Sequence, residues 1–160
     1  MIAMQNRPLR QPAGSIVVEF ALILPVMFTL LAGIFGLGRA LAQYETLTKA
    51  TRDGARLFSM ANKATINSTG VQAAKDRVVA IAQAGGMPGF SSSNVLVTCL
   101  DKTTYTDGSC ADGTEPGGVR VETTGWSYVF GSTVPLLYTS TGTSTLSMKA
   151  STTMRYMQPN

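Results

Sequence analysis

The chain has 160 residues, 13 basic and 9 acidic side chains, a net charge of +4 and no histidine. That length holds one ordinary domain plus an anchor, and the missing histidine removes imidazole bases, His-based triads and most zinc sites. The basic residues are scattered singly, and without Arg7 and Arg10 the balance falls to 11 − 9 = +2, so nothing resembles the basic patch of a nucleic-acid-binding protein.

The first element runs from Gly14 to Gly38 and reads G-S-I-V-V-E-F-A-L-I-L-P-V-M-F-T-L-L-A-G-I-F-G-L-G. Its only charge is Glu19; Arg7 and Arg10 precede it and Arg39 follows it. A run of about 20 apolar residues is long enough to cross a bilayer as a helix. A carboxylate inside such a segment is expensive and marks a functional site by default. Three fates fit the run. A secretory signal peptide would be cut at Ala40-Leu41-Ala42 to leave Gln43 first, but the run is too long, Glu19 interrupts it and Arg39 precedes the site. A plain uncleaved anchor, with Arg7 and Arg10 in the cytoplasm, explains the length but not Glu19. Cleavage after Gly14 explains both. Ser15 then becomes the N-terminus, and Glu19 lies one turn away, where it can pair with the α-amine and complement the positive end of the helix dipole. Paired with a neighbouring subunit's amine, the same carboxylate would set the register of packed helices.

Pro25 removes one backbone hydrogen bond inside the span and is expected to kink it, which membrane helices tolerate. Ala32 and Gly36 form a small-xxx-small pair of the kind that lets helices approach closely. From Ala40 to about Met60 the helix is expected to continue into water, with Leu41, Tyr44, Leu47, Ala50, Ala55 and Phe58 as its apolar stripe. Gly54 there marks either close packing or a helix end. A helix from Ser15 to Met60 would be on the order of 70 Å long.

Asn62 to Gly70 is polar and reads as a loop, with an Asn67-Ser68-Thr69 sequon of little weight. Val71 to Ala84 reads as an amphipathic helix with Val71, Ala74, Val78, Ile81 and Ala82 on one face, stopped by Gly85-Gly86 and Pro88. Asn94 to Leu100 reads as a strand. Asp101 to Gly118 is a turn-rich loop. Its Asp101, Asp107, Asp112 and Glu115 offer calcium ligands, but their spacing does not fit an EF-hand loop. Cys99 and Cys110, an even pair, read as a disulfide pinning this loop if the domain is exported; the alternative is two free thiols. Val119 to Thr124 (V-R-V-E-T-T) alternates as a half-buried strand. Trp126 to Leu137, broken by Pro135, reads as an irregular or short helical segment. Ser144 to Tyr156 reads as a closing strand. The fold class is therefore α+β: a long N-terminal transmembrane helix with a small antiparallel sheet of three strands forming the head. The expected organisation is a leader over 1–14, a transmembrane helix continuing outside the membrane over 15–60, and an extracytoplasmic α+β head over 61–160.

A short basic leader ending in Gly, then four residues, then Glu-Phe inside an apolar run, is similar to the processing site of Flp-type prepilins. The wider stretch from Gly14 to Phe58 resembles the TadE-like pseudopilins of tight-adherence (Tad) pilus systems. It does so through V-E-F-A-L-I-L-P (Val18 to Pro25), the glycines Gly33, Gly36 and Gly38, then Arg39, and T-R-D-G-A-R (Thr51 to Arg56). A closing strand ending at Met154-Arg155 adds to it weakly. The resemblance implies a pilin-like subunit cut by an aspartic-type prepilin peptidase between Gly14 and Ser15, with Glu19 as the recognition and assembly carboxylate. Phe20 stands where the major pilins usually have Tyr, and the chain is far longer than they are; both favour a minor pseudopilin. Implied partners are the prepilin peptidase, other pilins and pseudopilins, inner-membrane assembly proteins and the membrane itself. The implied location is the inner membrane, single pass with the C-terminus outside, or an extracellular pilus. No cofactor or metal is implied. The alternative function is an uncleaved membrane-anchored extracytoplasmic binding module. An enzyme is disfavoured: the chain has no paired-carboxylate motif, phosphate-binding loop or nucleophile elbow.

Overall fold

The computed structural model describes residues 13–130 and 144–157. The leader other than its last residues, and Pro135 with its neighbours, lie outside them. Helix α1 spans Ala13–Ser59, 47 residues with Pro25 inside. Its first half is apolar all round and unpacked: Ile16, Leu22, Phe28, Ile34 and Leu37 are all exposed. Thr29 donates its hydroxyl to the Pro25 carbonyl at 2.8 Å, the i to i−4 back-bond that a Thr in a helix can make.

In the second half a stripe at helical spacing turns inward: Ala40, Leu47, Ala50, Thr51, Ala55 and Phe58 are buried. Leu41 and Tyr44 do not belong to it; they are 56% and 45% exposed. The head meets this end of the helix along the line of Ala40 and Leu47, so the residues one step to its side keep their apolar surface outside. Gly54 marks close packing: a Cβ there would stand 2.5 Å from Val78 Cγ2 of the next long helix.

Residues 62–70, polar enough to read as a loop, are helical. A 3-10 turn at Lys63–Thr65 leads into a π-helical turn at Ile66–Gly70, which runs on into α2, Val71–Ala84. Asn62 caps the first turn, its side chain accepting from the Ala64 amide at 2.9 Å. Ile66, fully buried, ties the second to Phe58 and Tyr156. One buried apolar residue is too little for a helical period to show in sequence. In α2 the expected face is the packed one, with Ala74, Val78 and Ala82 buried and Val71 and Ile81 half-buried. An Asp53–Arg77 ion pair at 2.7 Å bridges α1 and α2 at the surface.

The strands are β1 (Val95–Leu100), β2 (Asp107–Gly108), β3 (Gly118–Thr123), β4 (Trp126–Phe130), β5 (Ser144–Met148) and β6 (Ser151–Arg155). They form an antiparallel four-stranded sheet of order β2-β1-β3-β6 and a separate antiparallel pair β4-β5. Two expectations are corrected. Trp126 to Phe130 is a strand rather than an irregular or helical segment, and Ser144 to Tyr156 is two strands with a break at Lys149–Ala150. Both follow from one feature. The registers Glu122↔Ser151 and Trp126↔Met148 leave three residues on one side, 123–125, facing two on the other, 149–150. This is a β-bulge, with Gly125 at φ +67°. Thr123 closes it: its amide donates to the Ala150 carbonyl at 2.8 Å, and its hydroxyl accepts from the Ala150 amide at 2.9 Å. The β4-β5 pair is therefore the continuation of the β3-β6 ribbon beyond the sheet.

The sheet lies along α1 with β6 running the same way as the helix. Thr51 and Thr152 share a hydrogen bond of 3.1 Å, the Tyr156 hydroxyl donates to the Ala61 carbonyl at 2.6 Å, and the Met157 amide donates to the Ser59 carbonyl at 2.9 Å. Two apolar clusters fill the space between. One gathers Leu47, Val78, Phe90, Val95 and Val121, with Ala40, Tyr128 and Met148 at its lower end. The other gathers Phe58, Ile66, Cys99, Val119 and Tyr156. The architecture is α+β, a long apolar N-terminal helix bearing a small antiparallel sheet, as the sequence implied.

Candidate functional site

The first group of expected site residues lies on the exposed half of α1. Gly14 and Ser15 stand in its first turns, and Ser15 and Glu19 are one helical turn apart. Glu19 and Phe20 are exposed, and the neighbours of Glu19 on its face are the apolar Ile16 and Ile23. Among the described residues the four ion pairs do not include Glu19. The segment from Ile16 onward is long and apolar enough to cross a membrane, and no described residue of the head covers Ile16, Phe20, Ile23, Met27 or Leu30. In water such a surface is strongly unfavourable, since burying one large apolar side chain is worth about 1.5–3 kcal/mol. This half of the helix fits a lipid environment or the flanks of other helices, and it carries one carboxylate.

The second group is the loop after β1. Cys99 and Cys110 form a disulfide, with Cα atoms 5.0 Å apart. Cys99 is buried at the end of β1 and Cys110 half-buried. The loop's four carboxylates do not converge. Asp101 caps its own turn, accepting from the Thr103 and Thr104 amides at 2.8 and 2.9 Å; these amides, the Thr104 one above all, hold its carboxyl below the usual range. Asp107 pairs with Arg120 at 2.7 Å and Glu115 with Lys102 at 3.0 Å. Asp112 reaches out of the loop to accept from the Asn67 and Ser68 amides at 2.7 and 3.2 Å, which lower its pKa. No cluster of three metal-ligating side chains occurs among the described residues, and each carboxylate that could bind calcium is committed to a protein partner.

Asp112 is the residue that sequence reasoning missed. It satisfies the free amides at the start of the helical run from Ile66 to Ala84, in concert with the Gly113 amide, which donates to the Lys63 carbonyl at 2.8 Å. The cap sits 45 positions away from Asn67, and an N-cap is sought next to the helix it serves, so no local signal betrays it. The disulfide-pinned loop is thus a clasp between the end of β1 and the turn joining the two helices. Tyr156 closes the same corner. Burial, with the nearby Glu115 charge, raises its pKa above 10.0.

Residues 14–56 match the family model described as TadE-like protein. The matched stretch begins at the residue expected to precede the cut, contains Glu19 and Phe20, and ends at the last residue of T-R-D-G-A-R. The TadE-like segment is therefore α1 without its first residue and its last three. The match stops before α2, the sheet and the disulfide loop. No curated protein and no solved structure matches the chain.

Proposed function

We propose that this protein is a pseudopilin, or minor pilin, that takes part in assembly of a Tad/Flp-type pilus after a prepilin peptidase cuts between Gly14 and Ser15. The observation that carries the reading is the TadE-like match over residues 14–56, which falls on a helix whose first half exposes its large apolar side chains and holds one carboxylate. Held in the inner membrane, with the α+β head outside the cytoplasm, that half serves as an anchor. Drawn into a filament, the same surface packs against other subunits' helices, and Glu19 meets an N-terminal amine in a low-dielectric setting where an unpaired carboxylate is costly. The disulfide fits a head outside the cytoplasm, because such bonds persist in oxidising compartments. The role is structural rather than enzymatic, and the partners are the peptidase, other pilins and inner-membrane assembly proteins.

The test is the mass of the mature chain recovered from cells with a functional Tad system. A chain beginning at Ser15 is expected. A chain beginning at Met1 would replace this reading with that of an uncleaved anchored binding module, and one beginning at Gln43 with a secreted head.

A further inference from the structure

The β4-β5 ribbon is not used by the reading above. From Thr152, level with Thr51 of α1, the chain runs back along β6 and β5 against the direction of the helix. Leu146 is 152 − 146 = 6 residues further down, about 20 Å of strand at roughly 3.3 Å per residue. The same distance covers about 13 residues of helix at 1.5 Å each, which brings Leu146 to the level of Gly38, the end of the apolar run. The burial of Ala40 in one cluster with Tyr128 and Met148 fits this descent. The ribbon therefore overlaps the apolar half of α1 in height.

Its chemistry suits that place. From Thr123 to Met148 the sequence has no charged residue. Tyr128 and Leu146 are a cross-strand pair. Leu146 is 45% exposed and Val129, on the other face, is 37% exposed. Leu37, Leu41 and Tyr44 of α1 are exposed at the same level, with Arg39 among them. Aromatic and apolar side chains beside a cation are what the boundary between headgroups and acyl chains accommodates.

We propose that the β4-β5 ribbon is a second membrane contact, lying in the interfacial layer of the bilayer beside α1 with Val129 and Leu146 against lipid. This rests on the reading of residues 16–38 as a membrane span. The ribbon fixes how deeply the head sits and which face of α1 it shields, so the head leaves the bilayer surface only when the ribbon is withdrawn.

The test uses the full chain in phosphatidylcholine–phosphatidylglycerol vesicles whose acyl chains carry a nitroxide quencher near the headgroup. Trp126 is the only tryptophan, so Trp126→Phe gives a dark background for single probes. Leu146→Trp and, independently, Val129→Trp are each expected to be quenched about twofold or more, as befits an interfacial aromatic. Met157→Trp, exposed at the level of Ser59, is expected to be untouched. Phe28→Trp, about 15 Å from the Gly38 end at 1.5 Å per residue, reports on the span itself when read in parallel vesicles whose nitroxide sits at the end of the acyl chain. Quenching at Phe28 but at neither ribbon site would overturn the ribbon contact alone, and no quenching at Phe28 would overturn it together with the span. Ribbon probes unmoved by labelled lipid, but shifted in emission as the protein-to-lipid ratio rises, would show a second copy of the chain there instead and would equally overturn the proposal.

Discussion

Glu19, Asp112 and Gly54 each occupy a position whose chemistry allows a sharp expectation. Glu19 lies far from both core clusters, so Glu19→Ala should leave the melting temperature of the head unchanged while reducing piliation, and normal pili in that variant would remove the assembly role. Asp112 holds the start of the 66–84 helical run through two amides. Its folded pKa lies below the 3.8 of the free side chain, so its contribution to stability is complete above that value and lost as pH falls through the lowered folded value. Asp112→Asn should lower the neutral plateau of a stability-against-pH curve, so that its acid limb flattens, and speed amide exchange at Asn67 and Ser68; an acid limb identical to the parent's would show that the clasp does not hold the helix. Gly54 has no room for a methyl group beside Val78. Gly54→Ala should cost about 1–3 kcal/mol by overpacking, read by chemical denaturation, and Val78→Ala in the same chain should recover part of it.

The disulfide loop sets the expectations for elements. Closing a loop this short by a disulfide stabilises by about 3 kcal/mol in the chain-entropy model, and here the bond also holds Asp112 over the helix start. Replacing both cysteines with serine should therefore lower stability by about that amount and bring the same amide-exchange signature at residues 67–68 as Asp112→Asn; a stability loss without that signature would separate the disulfide from the clasp. The sequence made the large elements legible for physical reasons. The apolar run is long enough to cross a membrane, α2 shows a clean helical face, and V-R-V-E-T-T alternates. The two cysteines pair as their number suggested. What stayed hidden was non-local. The 62–70 segment folds as helix because Ile66 packs with Phe58 and Tyr156 and Asp112 arrives from another loop, and Tyr156 and Asp112 are far away in sequence. Leu41 and Tyr44 have the right spacing for the stripe, but spacing alone does not say where the head begins to cover the helix. Trp126 to Phe130 looked irregular because an extra residue at the bulge breaks the period, and Pro135, outside the described residues, drew attention to a break. Among the candidate residues, Glu19 stands out in the sequence as a lone charge in an apolar run, and its role is the one proposed above; Asp112 does not stand out, because polar residues in a polar loop look alike until one of them is seen to reach across.

For the whole molecule, the unequal halves of α1 divide the behaviour of the chain. The half that packs the head is held by two clusters, and the other half has no protein partner among the described residues, so the intact chain should stay in the membrane fraction through alkaline carbonate washing and need detergent for release; a chain freed by carbonate alone would remove the anchor. The bulge at residues 123–125 has a further consequence for how such a chain can vary over time. On β3, Val119, Val121 and Thr123 face the helices; the odd residue is what lets Trp126 and Tyr128 face them too, while the opposite strand keeps Met148, Ala150 and Thr152 inward without interruption. Deleting one residue there would invert the frame of every position from Trp126 onward on that strand, bringing Ser127 and Val129 inward and expelling the aromatics, although no side chain in the ribbon had been replaced. The ribbon is therefore open to apolar point substitution on its outer face but closed to single-residue insertions and deletions at its root, and length changes in related chains should collect at its far turn or occur at the root in pairs.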